Sequence, residues 1–416
     1  MSPRKKARGR ARAPVRAAKR RRHLVLLETP ADYAHRLTVA GLFAGIGGLE
    51  LGLHRAGHET NLLCEIEPGA RAVLHERFAG IPQHDDICTL EALPRNVNLV
   101  TAGFPCQDLS QAGKTAGIEG SRSGLVGEVF RLLRKRPTEW VILENVPFML
   151  QLSKGRALDV IVTALEAIGY RWAYRVVDSR AFGVPQRRER VYLVASMSHD
   201  PRTVLFADDA GEPTLGRWTR GDAFGFYWTE GIRGLGAAVN AVPTLKGGST
   251  IGIASPPAIL MPDGDVVTPD IRDAERLQGF APDWTKPAEA VTRRGHRWKL
   301  VGNAVTVDAA EWLGERLLEP GKYQAGLDLP LKPGAPWPRA AWNIGDGRHV
   351  SNASSWPHRR KMKPIHAFLA HSPMLLSAKA TRGFLQRARS GSLRFPEGFL
   401  DTLQAHLERM EARLSA

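Results

Sequence analysis

The sequence predicts an α/β protein built on a doubly wound, mostly parallel sheet, with a smaller loop-rich second domain and a helical C-terminal extension. Three observations carry this. Between about residue 36 and residue 196, short apolar runs alternate with amphipathic stretches, the rhythm of strand–helix–strand units. From about 198 to 268 that rhythm gives way to Gly, Pro, Trp and Tyr with brief alternating pieces, as in Phe224-Gly225-Phe226-Tyr227-Trp228. Beyond a Pro-rich joint at Leu329 to Pro338 the pattern turns mostly helical and ends in an amphipathic stretch, Phe399 to Leu414.

The candidate strands are Leu37 to Phe43, Asn61 to Glu65, Asn98 to Ala102, Trp140 to Leu143, Tyr170 to Val177 and Val191 to Ala195. Leu158, Ile161, Val162, Leu165 and Ile168 recur at helical spacing and predict a helix covering the sheet. Helical patterns return at Asp270 to Gln278 and Thr306 to Leu318. The expected organisation is a disordered basic arm over 1–35, the sheet unit over 36–197, the second domain over 198–268, a return to the sheet unit over 269–319, and a basic, mostly helical extension over 320–416.

A chain of 416 residues, 43% hydrophobic and 24% charged, is long enough to bury a sizeable core. No run approaches the roughly 18 consecutive apolar residues of a membrane span, and the N-terminus lacks the apolar block of a secretory signal, so a cytoplasmic protein is expected. The net charge of +16 sits at the ends of the chain. Residues 1–22 carry 11 Lys and Arg and no acid, and residues 321–416 carry 15 bases against 6 acids, while the middle holds 36 acids against 32 bases. Basic ends on a nearly neutral body suit a polyanion, and nucleic acid is the expected partner. Three cysteines are too few for a disulfide framework or a four-cysteine zinc site, so each is judged alone. Cys64, within Leu62-Leu63-Cys64, and Cys88 read as buried apolar thiols.

Four constellations carry chemistry. Phe43-Ala44-Gly45-Ile46-Gly47-Gly48 is a glycine turn between a strand and a helix, where backbone approaches a ligand closely. It departs from the dinucleotide fingerprint, because Glu50 stands where a third glycine is due. With Glu65 ending the second strand, where an acid accepts from ribose hydroxyls, and Asp86-Ile87 after the third, it points to a nucleoside cofactor without pyrophosphate. Gly103-Phe104-Pro105-Cys106-Gln107 sets a thiol on a loop at the carboxyl edge of the sheet, before a probable helix, where a thiolate is favoured and reachable. Glu144-Asn145-Val146 brings a carboxyl to the same edge. Gln186-Arg187-Arg188-Glu189-Arg190 leads into a strand whose alternation sets Arg188 and Arg190 on one face, both aimed at the cleft.

In this order, these stretches resemble the carbon-5 cytosine-specific DNA methyltransferases of bacterial restriction–modification type, over residues 37–200 and 265–318. The nucleophile block is matched by Gly103 to Gln107 with Ser110 and Ala112-Gly113, the acid block by Glu144-Asn145-Val146, and the arginine block by Gln186, Arg188 and Arg190. Later blocks are matched by Arg276-Leu277-Gln278-Gly279-Phe280 and Gly302-Asn303-Ala304-Val305. Gly41 stands where many members have an acid, and Ala281 where proline is frequent.

The resemblance implies an AdoMet-dependent methyltransferase fold and a flipped-out cytosine in duplex DNA. Cys106 would attack carbon 6, Glu144 would act at ring N3, and Arg188 and Arg190 would orient the base, with no metal required. It implies an S-adenosyl-L-methionine site made by Phe43 to Gly48, Glu65, Ile66, Asp86, Ile87, Leu125, Asn303 and Val305. Contacts to the base or DNA would come from Pro105, Gln107, Ser110, Asn145, Gln186 and Gln278. The segment 198–268 would be the target recognition domain, with Arg217, Arg220, Trp228, Lys246 and Ser249 as candidate readers. A working monomer, paired in function with a restriction endonuclease, is the expected setting; an RNA cytosine methyltransferase and a catalytically silent nucleic-acid-binding homologue are the alternatives.

Overall fold

A computed structural model describes residues 36–105, 124–214, 216–247 and 254–415. Cys106, Gln107, Ser110, Ser249 and the basic arm lie outside the described residues. The strands are β1 (Thr38–Leu42), β2 (Glu59–Cys64), β3 (Gln83–His84), β4 (Leu99–Ala102), β5 (Trp140–Asn145), β6 (Arg171–Asp178), β7 (Gln186–Arg187) and β8 (Glu189–Ser196). After them come β9 (Phe224–Phe226), β10 (Ala238–Val239), β11 (Val242–Pro243), β12 (Ala258–Leu260), β13 (Val266–Thr268), β14 (Leu329–Pro330), β15 (Ala340–Asn343), β16 (His349–Val350) and β17 (Met374–Leu375).

All six expected strands are present, in a ten-stranded sheet of order β14-β16-β15-β6-β8-β5-β4-β1-β2-β3. β3, β2, β1, β4 and β5 are parallel, and β8 runs antiparallel between β5 and β6. The central strands are apolar on both faces because helices cover both. Helices Gly124–Lys135 and Arg156–Ile168 bury Phe130, Leu133, Leu158 and Ile161 against one face. Helices Gly48–Arg55 and Val307–Leu318 bury Leu53, Ala310 and Leu313 against the other. Gly52 permits the close crossing of that second pair: a Cβ there would lie 2.5 Å from the Ala310 Cβ. The crossing returns the far end of the chain to the glycine turn, as cofactor contact by Val305 requires.

The chain beyond 320 differs from the expected helical extension. β15 pairs antiparallel with β6 and carries β16 and β14, so residues 329–350 widen the main sheet. β17 pairs with β13 and closes a second, antiparallel sheet, β10-β9-β12-β13-β17. Helices Ala378–Ser390 and Phe399–Ser415 then cover Phe224, Phe226, Leu260 and Val266 with Phe384, Phe399 and Leu403. His406, buried in the last helix, accepts from the Val266 N–H at Nδ1 (3.2 Å) and meets the Leu376 carbonyl with Nε2 (3.0 Å). Strands as short as Met374–Leu375 carry no readable period, and their ladders join residues about a hundred positions apart, which local pattern does not register. Among the described residues, no helix is long and apolar enough to cross a membrane.

Candidate active site

The site lies at the carboxyl edge of the parallel strands. β1 runs into a turn in which Phe43, Gly45 and Gly47 have φ of 53°, 56° and 81°, and Gly47 opens the helix Gly48–Arg55. A Cβ on Gly45 would meet nothing within 4 Å, so this backbone is open to a ligand. Glu65, just past β2, accepts the Gly45 N–H at Oε2 (2.7 Å) and the Glu67 N–H at Oε1 (2.8 Å), and burial raises its carboxyl above the ordinary range. Gly45, Glu65 and Glu67 wall a cavity of about 210 Å³ shared with Phe43, Ala44, Ile46, Gly48, Ile66 and Leu125. Asn303 and Val305 close it from the other end of the chain. Ile66 is 64% exposed, an apolar surface offered to a ring.

Three expected cofactor residues do not line this cavity. Gly47 packs against Phe78, whose ring a Cβ would strike at 2.3 Å, and so shapes the turn from behind. Ile87 is 4% exposed, its side chain turned into the core. The Asp86 carboxylate accepts the Cys88 N–H at 2.9 Å and caps its own turn. Lys299 and Leu300, which do line the cavity, had no strand-end or motif signal to mark them.

Glu144 and Pro105 belong to the same cavity wall, which brings the expected catalytic acid and the residue before Cys106 together with Glu65 and the glycine turn. Glu144 ends β5 nearly buried, with Arg190 Nε 3.0 Å from its Oε1. Burial pushes this carboxyl up; Arg190 and then Arg188 pull it partly back. Gly103 makes room for it, since a Cβ there would lie 3.3 Å from Glu144 Oε2. Asn145 is buried, and its Nδ2 donates to the Phe104 carbonyl at 3.0 Å. It therefore holds the loop entering Cys106, where the sequence reading had it contacting the base.

Arg188, Gln186 and Gln278 correct the sequence reading further. All three are fully buried and hydrogen-bond mainly to backbone, Arg188 through its two Nη atoms while its Nε has no partner. Strand alternation does set Arg188 and Arg190 on one face, but only Arg190 reaches Glu144, because Gly302 and Ala304 fold over Arg188 and supply carbonyls to it. Cys64 is buried as expected, with its thiol pushed up to about 12 by desolvation. Cys88 is exposed, against the buried reading, since it stands in the turn after β3. Of the candidate DNA readers, Arg217 and Arg220 are exposed, Trp228 packs into the second core, and Lys246 pairs with Glu230.

Glu50 was legible only as a missing glycine. It is 1% exposed, accepts from Thr101 Oγ1 at 2.8 Å, and has no hydrogen-bond partner at Oε2. Its carboxyl fills the space left at Gly41, where a Cβ would lie 2.3 Å away, so the glycine found where an acid is frequent answers the acid nine positions on. Desolvation raises it from 4.5 to about 7. The penalty is absent below the unfolded value of 4.5, grows while the unfolded group ionises and the buried one keeps its proton, and levels off once the buried group ionises above about 7. Relative to Glu50→Gln, the native protein is thus expected to lose up to about 3 kcal/mol of stability between pH 5 and pH 8. Urea unfolding of both proteins across that range checks it; parallel curves would refute it.

Among solved structures, the S. pombe Dnmt2 methyltransferase shares the fold with a TM-score of 0.51 at 18% identity, over 68% of this chain and 99% of that one. The fold class is therefore the one found in that methyltransferase. The family model for C-5 cytosine-specific DNA methylase matches residues 37–208. The chain is 46% identical over 386 residues to the type II methyltransferase M2.BsuMI of Bacillus subtilis (strain 168), covering 90% of this chain and 99% of that protein. It is 36% identical over 326 residues to the type II methyltransferase M.BsuFI of Bacillus subtilis, covering 68% and 74%. This chain belongs to the C-5 cytosine-specific DNA methylase family, whose methyl source is S-adenosylmethionine. The cavity fits that molecule: exposed Ile66 suits the adenine face, and each Glu65 oxygen, having accepted one backbone N–H, keeps a lone pair for a ribose hydroxyl.

Proposed function

We propose that this enzyme methylates carbon 5 of a cytosine swung out of a short, specific duplex site, with Cys106 as nucleophile. The observation that supports this most is the buried Glu144, raised above the ordinary carboxyl range, paired with Arg190 at 3.0 Å and facing the same cavity as Glu65 and Pro105. Flipping costs a few kcal/mol of stacking and exposes carbon 6 to attack. The Cys106 thiolate forms an Sγ–C6 bond, and the electron pair displaced toward N3 takes a proton from Glu144. Arg190 holds the Glu144 carboxyl in line and balances its charge once the proton has left. S-adenosylmethionine, when bound, supplies the electrophilic methyl that carbon 5 takes up. Loss of the C5 proton and cleavage of the Sγ–C6 bond release 5-methylcytosine and regenerate Cys106.

The second sheet with its covering helices is the proposed target recognition unit, built from two separate segments of chain. Working as a monomer in a bacterial cytoplasm, the enzyme would protect DNA against a cognate endonuclease. Bisulfite sequencing of unmethylated DNA after incubation with S-adenosylmethionine tests the reaction. Protected cytosines confined to one short motif are expected; no protection on any duplex would overturn the reading. The basic arm adds phosphate contacts, so removing residues 1–22 is expected to flatten the fall of DNA affinity with salt, each lost contact lowering the log–log slope by about 0.9. Titrations between about 50 and 200 mM salt measure it, and an unchanged slope would show the arm idle.

A further inference from the structure

The Pro-rich joint at Leu329 to Pro338 forms one wall of a second cavity, of about 440 Å³, outside the site described above. The opposite wall is the turn that leads from β5 into the helix Arg156–Ile168. Lys154 and Arg156 line the cavity from that turn, Lys332 from the joint, and Arg348 from the residue before β16. Among the lining residues Asp159 is the single acid, and it is already held. Arg348 Nη1 donates to Asp159 Oδ1 at 2.5 Å, while Nη2 donates to Glu166 Oε2 at 2.9 Å. Lys154, Arg156 and Lys332 are exposed, and among the described residues none of their side chains has an acid or a hydrogen-bond partner.

These cations stand on fixed backbone. Trp337 closes on the turn: its Nε1 donates to the Gly155 carbonyl at 3.0 Å, and a Cβ on Gly155 would lie 2.8 Å from its ring. Trp337 also packs over β6, 6.1 Å from the rings of both Trp172 and Tyr174. Because β8 lies between β5 and β6, the cavity is about 10 Å along the sheet from the strand that ends at Glu144, at roughly 4.8 Å per strand. The helix Arg156–Ile168 follows β5, so its first residues stand at the carboxyl edge, as Glu144 does. Three cations that share one cavity repel one another, and an anion bound between them relieves the repulsion. A phosphate diester suits them, since it is charged and accepts from both Lys and Arg.

We propose that this cavity takes a backbone phosphate of the bound duplex, about three base pairs or more from the target cytosine at about 3.4 Å per base pair, with Lys154, Arg156 and Lys332 as its contacts. The proposal rests on the reading that the target cytosine is taken at Glu144. It gives part of the surplus of bases beyond residue 320 a place at the DNA. Such a contact fixes how the duplex lies along the edge and reads no base, so it contributes affinity and leaves the methylated motif unchanged. The probe is a labelled duplex carrying one copy of the motif found by bisulfite sequencing, with a helical turn of flanking sequence on each side. In two modified duplexes, neutral methylphosphonate linkages replace the phosphates about three to six base pairs from the target, on one side or on the other.

The full-length native enzyme is expected to bind one of the modified duplexes at least about threefold more weakly than the unmodified one at about 50 mM salt. The double variant Lys154→Gln with Lys332→Gln should lose about as much on the unmodified duplex, show a log–log salt slope lower by about 0.9, and no longer distinguish the duplexes. Lys154→Arg with Lys332→Arg keeps both charges and should bind as the native enzyme does. A native enzyme indifferent to both modified duplexes overturns the proposal. So does a Gln variant that binds the unmodified duplex like the native enzyme or loses as much on modification, and so does an Arg variant as weak as the Gln variant. Should the double Gln variant not fold, Arg156→Gln is read by the same outcomes. Failure of the native enzyme to methylate any duplex would instead remove the functional reading itself, whereas methylation with unaltered binding by the Gln variant removes this inference alone.

Discussion

Cys106→Ala is expected to lower methyl transfer at least about 10³-fold while leaving duplex binding in place, because a covalent pathway without its nucleophile has no second route of comparable barrier. Pro105, the residue before Cys106, lines the cavity, and the Asn145 amide fixes the Phe104 carbonyl two residues before it. Cys64 is buried with its thiol raised to about 12, and Cys88 stands in an exposed turn off the cavity wall. Transfer of labelled methyl groups under single-turnover conditions measures the effect. Activity of Cys106→Ala within tenfold of native would reject Cys106 as the nucleophile; Cys88→Ala should be indistinguishable from native.

Glu144→Gln is expected to cut kcat by about 10² to 10³ with little change in cofactor affinity. The amide keeps the shape of the side chain and can still hydrogen-bond a ring nitrogen, but it has no proton to give. The pH dependence carries a sign. Burial raises Glu144, and the protonated form is the active donor, so the native rate should fall on the alkaline side as pH passes the raised value. In Glu144→Gln that limb should vanish. A native rate that instead rises through this range, with the limb kept in the variant, would mean that Glu144 works as a carboxylate.

Much of this was legible in sequence because it rests on local order. The six central strands are apolar runs of four or more residues, and each chemical block follows a strand directly, so its position on one sheet edge comes with the topology. Glu65, Glu144 and the glycine turn met at one cavity for that reason. Arg190 met Glu144 because β8 pairs with β5, next to which an arginine near the strand start must lie beside the acid at the other's end. Asp86 and Ile87 follow a strand only two residues long, and they stand off this cavity wall, where Asp86 accepts the Cys88 N–H.

By itself, then, the sequence determined the parallel sheet and the order of the chemical blocks along its edge, both properties of short segments and of the strand-end rule. Only the tertiary structure decided which polar groups are free. Arg188, Gln186, Gln278 and Asn145 read as groups aimed at the substrate, yet each donates to a carbonyl brought to it from elsewhere along the chain. It also decided that residues 329–415 complete both sheets. Burial and hydrogen-bond satisfaction depend on what distant segments cover, and that is a property of packing that local pattern does not carry.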